Sequence, residues 1–250
     1  LSPLLWLAAS SLLTAAHAGD AVAVSADVGG TARYLDQVNL PDPSAFGLTV
    51  GARAEVDIKL QARLDLRYME GKIFDKHEDR FFDVSAAISS PALLFVCADV
   101  HEIYLRESSR DGDDLFYVNG GIGFKGHTRL FTLKGGLGVS YLAAGSVSSS
   151  QQATAIGGYA GADLMVRTPF VDASARGAAV VAFHDSTPYV GVLADGDLMV
   201  KFPVGPVTIG PRLDVIYRNL GVTDPDNTLF DQQQELTGYL GLAVQWGSGG

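Results

Sequence analysis

The sequence predicts an all-β chain, a single transmembrane antiparallel up-and-down β-barrel of about 12 strands. Three observations lead there. A two-residue alternation of apolar with small or charged residues recurs about a dozen times along the 250 residues. After the first residues, no uninterrupted apolar run approaches the roughly 18 to 20 that a spanning helix needs. The connections between alternating segments are short on one side and long on the other. Successive side chains of a strand point to opposite faces, so each such segment offers one face to lipid and the other to water.

Composition sets the bounds. The length fits one domain, and 47% hydrophobic with 18% charged residues lies in the range of globular chains. A net charge of −10 without any Lys/Arg cluster excludes nucleic acid as a partner. Leu1 to Ala18 is apolar and ends in Ala16-His17-Ala18, the small-x-small pattern of a signal-peptidase site. Cleavage is expected before Gly19. The expected organisation is a signal peptide over 1–18, a barrel over 19–246 and a Gly/Ser tail over 247–250. Cys97, between Val96 and Ala98, is the only cysteine. It cannot form an internal disulfide and reads as an inert small residue.

The segments follow in order. Ala21 to Leu35 runs into the polar loop Asp36 to Ala45. Phe46 to Asp57 turns at Ile58-Lys59 into Leu60 to Met69, followed by the loop Glu70 to Arg80. Phe81 to Ser89 turns through Ser90-Pro91-Ala92 into Leu93 to Leu105, and the loop Arg106 to Asp114 follows. Leu115 to Phe124 passes through Lys125 to Arg129 into Leu130 to Leu142, then the loop Ala143 to Gln152. Ala153 to Arg167 turns at Thr168-Pro169 into Val171 to His184, with Asp185 to Pro188 beyond. Tyr189 to Phe202 turns over Pro203-Val204-Gly205-Pro206 into Val207 to Arg218, then the loop Asn219 to Glu235, and Leu236 to Trp246 closes the pattern. Twelve is even, so both ends of the barrel lie on one side. A soluble β-sandwich also alternates, but it predicts neither this parity of loop length nor so many small residues on the apolar face.

The register is clearest in the second half. Val171, Ala173, Ala175, Gly177, Ala179, Val181 and Phe183 are expected to face lipid, against Asp172, Ser174, Arg176 and His184. Val190, Val192, Ala194, Leu198 and Val200 oppose Asp195, Asp197 and Lys201, and Phe131, Leu133, Leu137, Val139 and Tyr141 oppose Thr132, Lys134 and Ser140. Aromatics including Tyr34, Phe124, Phe131, Phe183, Tyr217 and Trp246 fall near strand ends, at headgroup level. Two irregularities are expected. In the fifth segment Asp99 and His101 share a parity that Glu102 breaks, which suggests a bulge. Pro211 lacks a ladder donor, which suggests a bulge or a strand start displaced toward Arg212.

The closing segment Tyr239 to Trp246 resembles the C-terminal assembly signal of bacterial outer-membrane β-barrel proteins, porin-like ones included. That pattern has a glycine, an apolar residue three positions on and an aromatic two after that; Gly241, Val244 and Trp246 occupy those places. The resemblance implies the outer membrane of a Gram-negative bacterium, outer-membrane lipid as the surroundings and insertion by the barrel assembly machinery. Short turns would then lie in the periplasm and long loops outside.

Other motifs dissolve under the same reading. Gly121-Ile122-Gly123-Phe124-Lys125-Gly126 satisfies GxGxxG, but no helical period follows it; glycine there is expected to relieve crowding. Of the mature histidines, His77 sits in a charged loop, His127 in a turn, and His184-Asp185-Ser186 are consecutive residues that cannot converge as a triad, while His101 lies inside the fifth segment. No GxSxG elbow occurs. No enzyme, catalytic residue or cofactor is expected. Asp111-Gly112-Asp113-Asp114 and Asp224-Pro225-Asp226-Asn227 with Asp231 lack EF-hand spacing and read as solvated loop tips, so no metal is assigned.

The lumen carries the functional signal. The register turns inward the bases Arg33, Arg53, Lys59, Arg63, Arg67, Lys125, Lys134, Arg167, Arg176, Lys201, Arg212 and Arg218. It also turns inward the acids Asp27, Glu55, Asp57, Asp65, Asp83, Asp99, Asp163, Asp172, Asp195, Asp197 and Asp214. The expected lumen-lining site is Arg53, Glu55, Arg63, Asp65, Arg67, Asp163, Arg176, Asp195, Asp197, Arg212 and Asp214. A pore selective for one ion sign is lined mainly by the other sign, whereas balance favours ion pairs and a narrow interior. Two functions follow: a narrow porin-like channel for small polar solutes, or a non-conducting anchor or scaffold working with other envelope proteins.

Overall fold

The computed structural model describes residues 22–37, 44–57, 61–73, 77–89, 94–107, 113–128, 131–146, 152–184, 187–222 and 233–247. The expected leader, the tail beyond Gly247, Lys59 and the acidic stretch 224–231 lie outside them. Also outside are the side chains of Arg33, Asp57, Asp83, Cys97, Asp99 and the histidines His77, His101, His127 and His184.

Twelve long strands form: β1 (Val22–Gln37), β2 (Ser44–Asp57), β3 (Gln61–Ile73), β4 (His77–Ser89), β5 (Leu94–Glu107), β6 (Asp113–His127), β7 (Phe131–Ser146), β8 (Gln152–Arg167), β9 (Val171–His184), β10 (Thr187–Val200), β12 (Val207–Val222) and β13 (Gln233–Trp246). A three-residue strand, β11 (Phe202–Val204), lies between β10 and β12. Each long strand pairs antiparallel with its neighbour in sequence, β10 pairs with β12, and β13 pairs with β1. Every long strand therefore has two hydrogen-bonded neighbours, so none of the twelve is left as a sheet edge.

The strands overrun the alternating segments on the long-loop side. β3 continues to Ile73 and β4 already starts at His77, so His77 opens a strand where a loop was expected. The physical reason is that pairing needs only backbone groups, whereas alternation is imposed by lipid; above the membrane the hairpin goes on without the pattern. Gly121 to Gly126 lie wholly within β6.

Both expected irregularities resolve. Through β5 the registers to β4 and β6 are unbroken, so the bulge expected at Asp99 to Glu102 does not occur. Pro211 leaves β12 continuous, but the ladder to β10 starts at Arg212 and resumes only at Ile209 with Phe202. The missing proline donor interrupts the pairing there and splits β11 from β10. The turn is shorter than expected: Val204 pairs with Val207, leaving Gly205-Pro206, with Gly205 at φ 63° in the first position, where a type II′ hairpin requires it.

Alternation sorts the side chains as read. Leu48 (74% exposed), Ile122 (66%), Leu137, Val139, Phe183, Val190 and Leu240 project outward. Such a contiguous apolar belt has no place in water and matches lipid. Among the described residues no helix is long and apolar enough to cross a membrane; the crossing is made by strands.

Two seams bring backbones unusually close. Gly29 faces Gly241 across β1 and β13, and Gly121 faces Gly138 across β6 and β7. A Cβ on Gly29 would lie 2.2 Å from the Leu240 carbonyl oxygen, and one on Gly121 would lie 2.2 Å from that of Leu137. Glycine at Gly241 thus has a packing reason independent of any assembly signal.

Candidate functional site

The site is the polar interior. On β2 the outward Ala52 and Ala54 send Arg53 and Glu55 inward, and on β3 the same alternation sends in Arg63, Asp65 and Arg67. Asp27 on β1 stands opposite Gly51, whose missing Cβ leaves space for the Asp27 carboxylate; a Cβ there would lie 2.6 Å from its Oδ2. β10 contributes Asp195 and Asp197, and Lys201 follows its last residue. β12 contributes Arg212 and Asp214.

These groups form one lattice. Arg212 donates from Nε to Asp197 (2.7 Å) and Asp214 (3.3 Å), and from Nη1 to Asp27 (3.2 Å). Arg67 donates to Asp27 (3.1 Å) and to Asp214. Arg53 donates to Asp65 and, from Nη1, to Asp197 (2.8 Å), and Arg63 donates to Asp65 (2.6 Å). Four guanidiniums thus alternate with four carboxylates. The side chains of Arg212 and Asp27 are each 4% exposed, so the lattice is dry at its centre. Buried charges persist only when paired and hydrogen-bonded, and this set meets that condition almost throughout.

Several of these bonds cross the lumen. Arg53 on β2 reaches Asp197 on β10, with β1, β13 and β12 between them around the wall. Arg67 on β3 reaches Asp214 on β12 past β2, β1 and β13. Arg167 on β8 bonds Glu55 on β2, and five strands separate these in either direction: β3 to β7 one way, β9, β10, β12, β13 and β1 the other. This last pair joins opposite walls. Arg176 with Asp195 (2.7 Å) instead joins the neighbouring strands β9 and β10, and Lys201, just past β10, pairs with Asp172 on β9 (2.7 Å). Asp163 faces inward on β8 between its register partners Lys134 and Arg176.

Of the expected lumen-lining set, eight residues (Arg53, Arg63, Asp65, Arg67, Asp197, Arg212, Asp214 and, through Arg167, Glu55) take part in the lattice or its cross-lumen extension, and Arg176 pairs with Asp195. Tyr239 was missed. It is 2% exposed, and the Arg67 guanidinium carbon stands 4.1 Å from its ring centroid, a cation–π contact inside the barrel. Its odd parity with Thr237 and Ala243 on β13 was the available signal.

A correction concerns the upper wall. The interior was expected to be polar, but on β8 to β10 Ala155, Val180, Ala182, Tyr189 and Leu193 form a buried apolar cluster with Tyr159 and Ala178 against it. Both faces of these strands are apolar near the long-loop side, so two-residue alternation could not show which face is which. Toward the short-turn side, a cavity of about 40 Å³ is bordered by Ser25, Arg53, Arg63, Arg167, Ser174 and Arg212 among others. By volume it holds roughly three waters.

No family model and no curated protein matches the chain. Among solved structures, the translocator domain of the autotransporter NalP from Neisseria meningitidis is similar at 15% identity over 93% of this chain and 96% of that one, with a TM-score of 0.47. The β domain of the Bordetella autotransporter BrkA is similar at 11% identity over 91% and 99%, TM-score 0.41. The outer-membrane channel DcaP of Acinetobacter baumannii is similar at 10% over 92% and 97%, TM-score 0.40. Likenesses this distant add nothing to what the strand pairing already establishes. On its closed ring, outward apolar belt and charged interior, the chain is a membrane-spanning antiparallel β-barrel.

Proposed function

We propose that this barrel is a closed, non-conducting anchor or scaffold of the outer membrane, whose ion-paired lumen is structural. One observation carries the reading: Arg167 and Glu55, on opposite walls, bond directly, and Arg53–Asp197 and Arg67–Asp214 fill the space beside them. A diffusion pore keeps its charged side chains against the wall and leaves water between; here they meet in the middle. The proposal assigns no catalysis and no cofactor. It takes lipid and other envelope proteins as partners, with assembly-machinery recognition through Gly241, Val244 and Trp246.

A narrow channel for small polar solutes is the second reading, and the polar cavity below the lattice favours it. Planar-bilayer recordings separate the two: an anchor is silent, whereas a channel conducts with a salt-dependent current. The register beneath both readings has its own test. A cysteine at Ala194 reacts with a lipid-phase maleimide and one at Asp195 does not; the reverse outcome overturns the lumen assignment.

A further inference from the structure

We infer that the Arg167–Glu55 bond is an exchangeable latch over the short-turn mouth of the lumen, released when each partner turns to an opposite charge on its own wall. Arg167 is the last residue of β8, and its register partner across β8 and β9 is Asp172. Glu55, near the end of β2, has Arg63 as its register partner across β2 and β3. All four side chains border the cavity on the short-turn side. Cross-strand partners lie within side-chain reach of one another, so side-chain rotation alone brings either wall pair together.

Both alternative partners have capacity left among the described residues. Arg63 donates to Asp65 through Nε alone, which leaves its terminal nitrogens for Glu55. Asp172 accepts from Lys201 at Oδ1 alone, which leaves Oδ2 for Arg167. The exchange replaces one pair across the lumen by two clusters along the wall, Glu55–Arg63–Asp65 and Arg167–Asp172–Lys201, and strands no charge. Arg167 and Glu55 are partly exposed, which keeps the cost of parting them low. The dry lattice has no such escape. Asp197 and Asp214 are each other's register partners, and like charges side by side need cations, which Arg53 and Arg67 bring from across the lumen. Release of the latch therefore opens the cavity toward the short turns while the lattice stays closed, and only that last point rests on the scaffold reading.

The test follows a cysteine replacing the cavity residue Met165, in the whole barrel carrying Cys97→Ala. The probe is a small uncharged methanethiosulfonate, so the charge of each variant does not steer it. Glu55→Gln frees Arg167 and should speed modification by about fivefold, the worth of one partly exposed ion pair. Asp172→Asn and Arg63→Gln remove the wall alternatives and should each slow it by about fivefold. Heat-modifiability confirms folding, and Arg63→Gln carries the test where Asp172→Asn fails to fold. Charges that only brace the mouth would make all three variants react faster; that outcome, or equal rates throughout, overturns the inference. Wild-type currents in planar bilayers would sink the scaffold reading and leave these rates unchanged in meaning.

Discussion

Arg176–Asp195 and Arg167–Glu55 are the same chemistry in the same lumen, yet they do different things. The first joins register partners on adjacent strands and lies along the wall; the second joins β8 to β2 across the barrel. Their side chains are similarly exposed, between 20% and 27%. What separates them is topology: a pair along the wall adds to a hairpin, while a pair across the lumen closes it. The functional proposal rests on that distinction.

Cutting the cross-lumen set should have the largest effect. Replacing Arg53, Arg67 and Arg167 together by serine removes the Arg53–Asp197, Arg67–Asp214 and Arg167–Glu55 bonds, and the silent barrel should acquire stable single-channel currents. Arg176→Ser, which cuts the wall pair with Asp195, should leave it silent. If both variants conduct alike, the distinction between wall and cross-lumen pairs fails.

Arg212→Met comes next. It leaves Asp27, Asp197 and Asp214 buried around a lost cation, which costs about 3–5 kcal/mol in comparable cases. Urea unfolding in lipid vesicles should show the midpoint fall accordingly, and restoring the charge with Arg212→Lys should recover only part of it, because one ammonium cannot reproduce the guanidinium fork.

A smaller loss is expected at the seam. In Gly241→Ala the new Cβ would lie 2.5 Å from the Val28 carbonyl oxygen, an overpacking worth on the order of 1–3 kcal/mol. Heat-modifiability on gels reports the folded fraction, and Gly30→Ala, with no atom nearer than 4.0 Å, is the control. The smallest effect belongs to the wall. A double-mutant cycle on Arg176 and Asp195 should give a coupling of roughly 1 kcal/mol or less, reduced by salt.

Most of the barrel was legible because lipid enforces a pattern. Leu48, Leu137 and Val190 alternate with inward polar residues since each has only two faces to choose from, and the strand count and side of each turn followed. Adjacent wall pairs such as Arg176–Asp195 were within reach once the hairpin register was known. The cross-lumen pairs were not. Nothing in the spacing of Glu55 and Arg167, 112 residues apart, tells that their strands stand opposite; that depends on the closure of the whole ring. Tyr239 and the apolar cluster around Leu193 were illegible for a related reason, as an apolar side chain facing inward looks in sequence like one facing lipid.

The central claim is that side chains from opposite walls close this lumen. Single-channel recording of the purified, heat-modifiable wild-type barrel in planar bilayers tests it most directly. The account predicts sustained silence across salt and voltage from a barrel that opens in the Arg53, Arg67 and Arg167 triple variant; stable, salt-dependent currents from the wild type would contradict it.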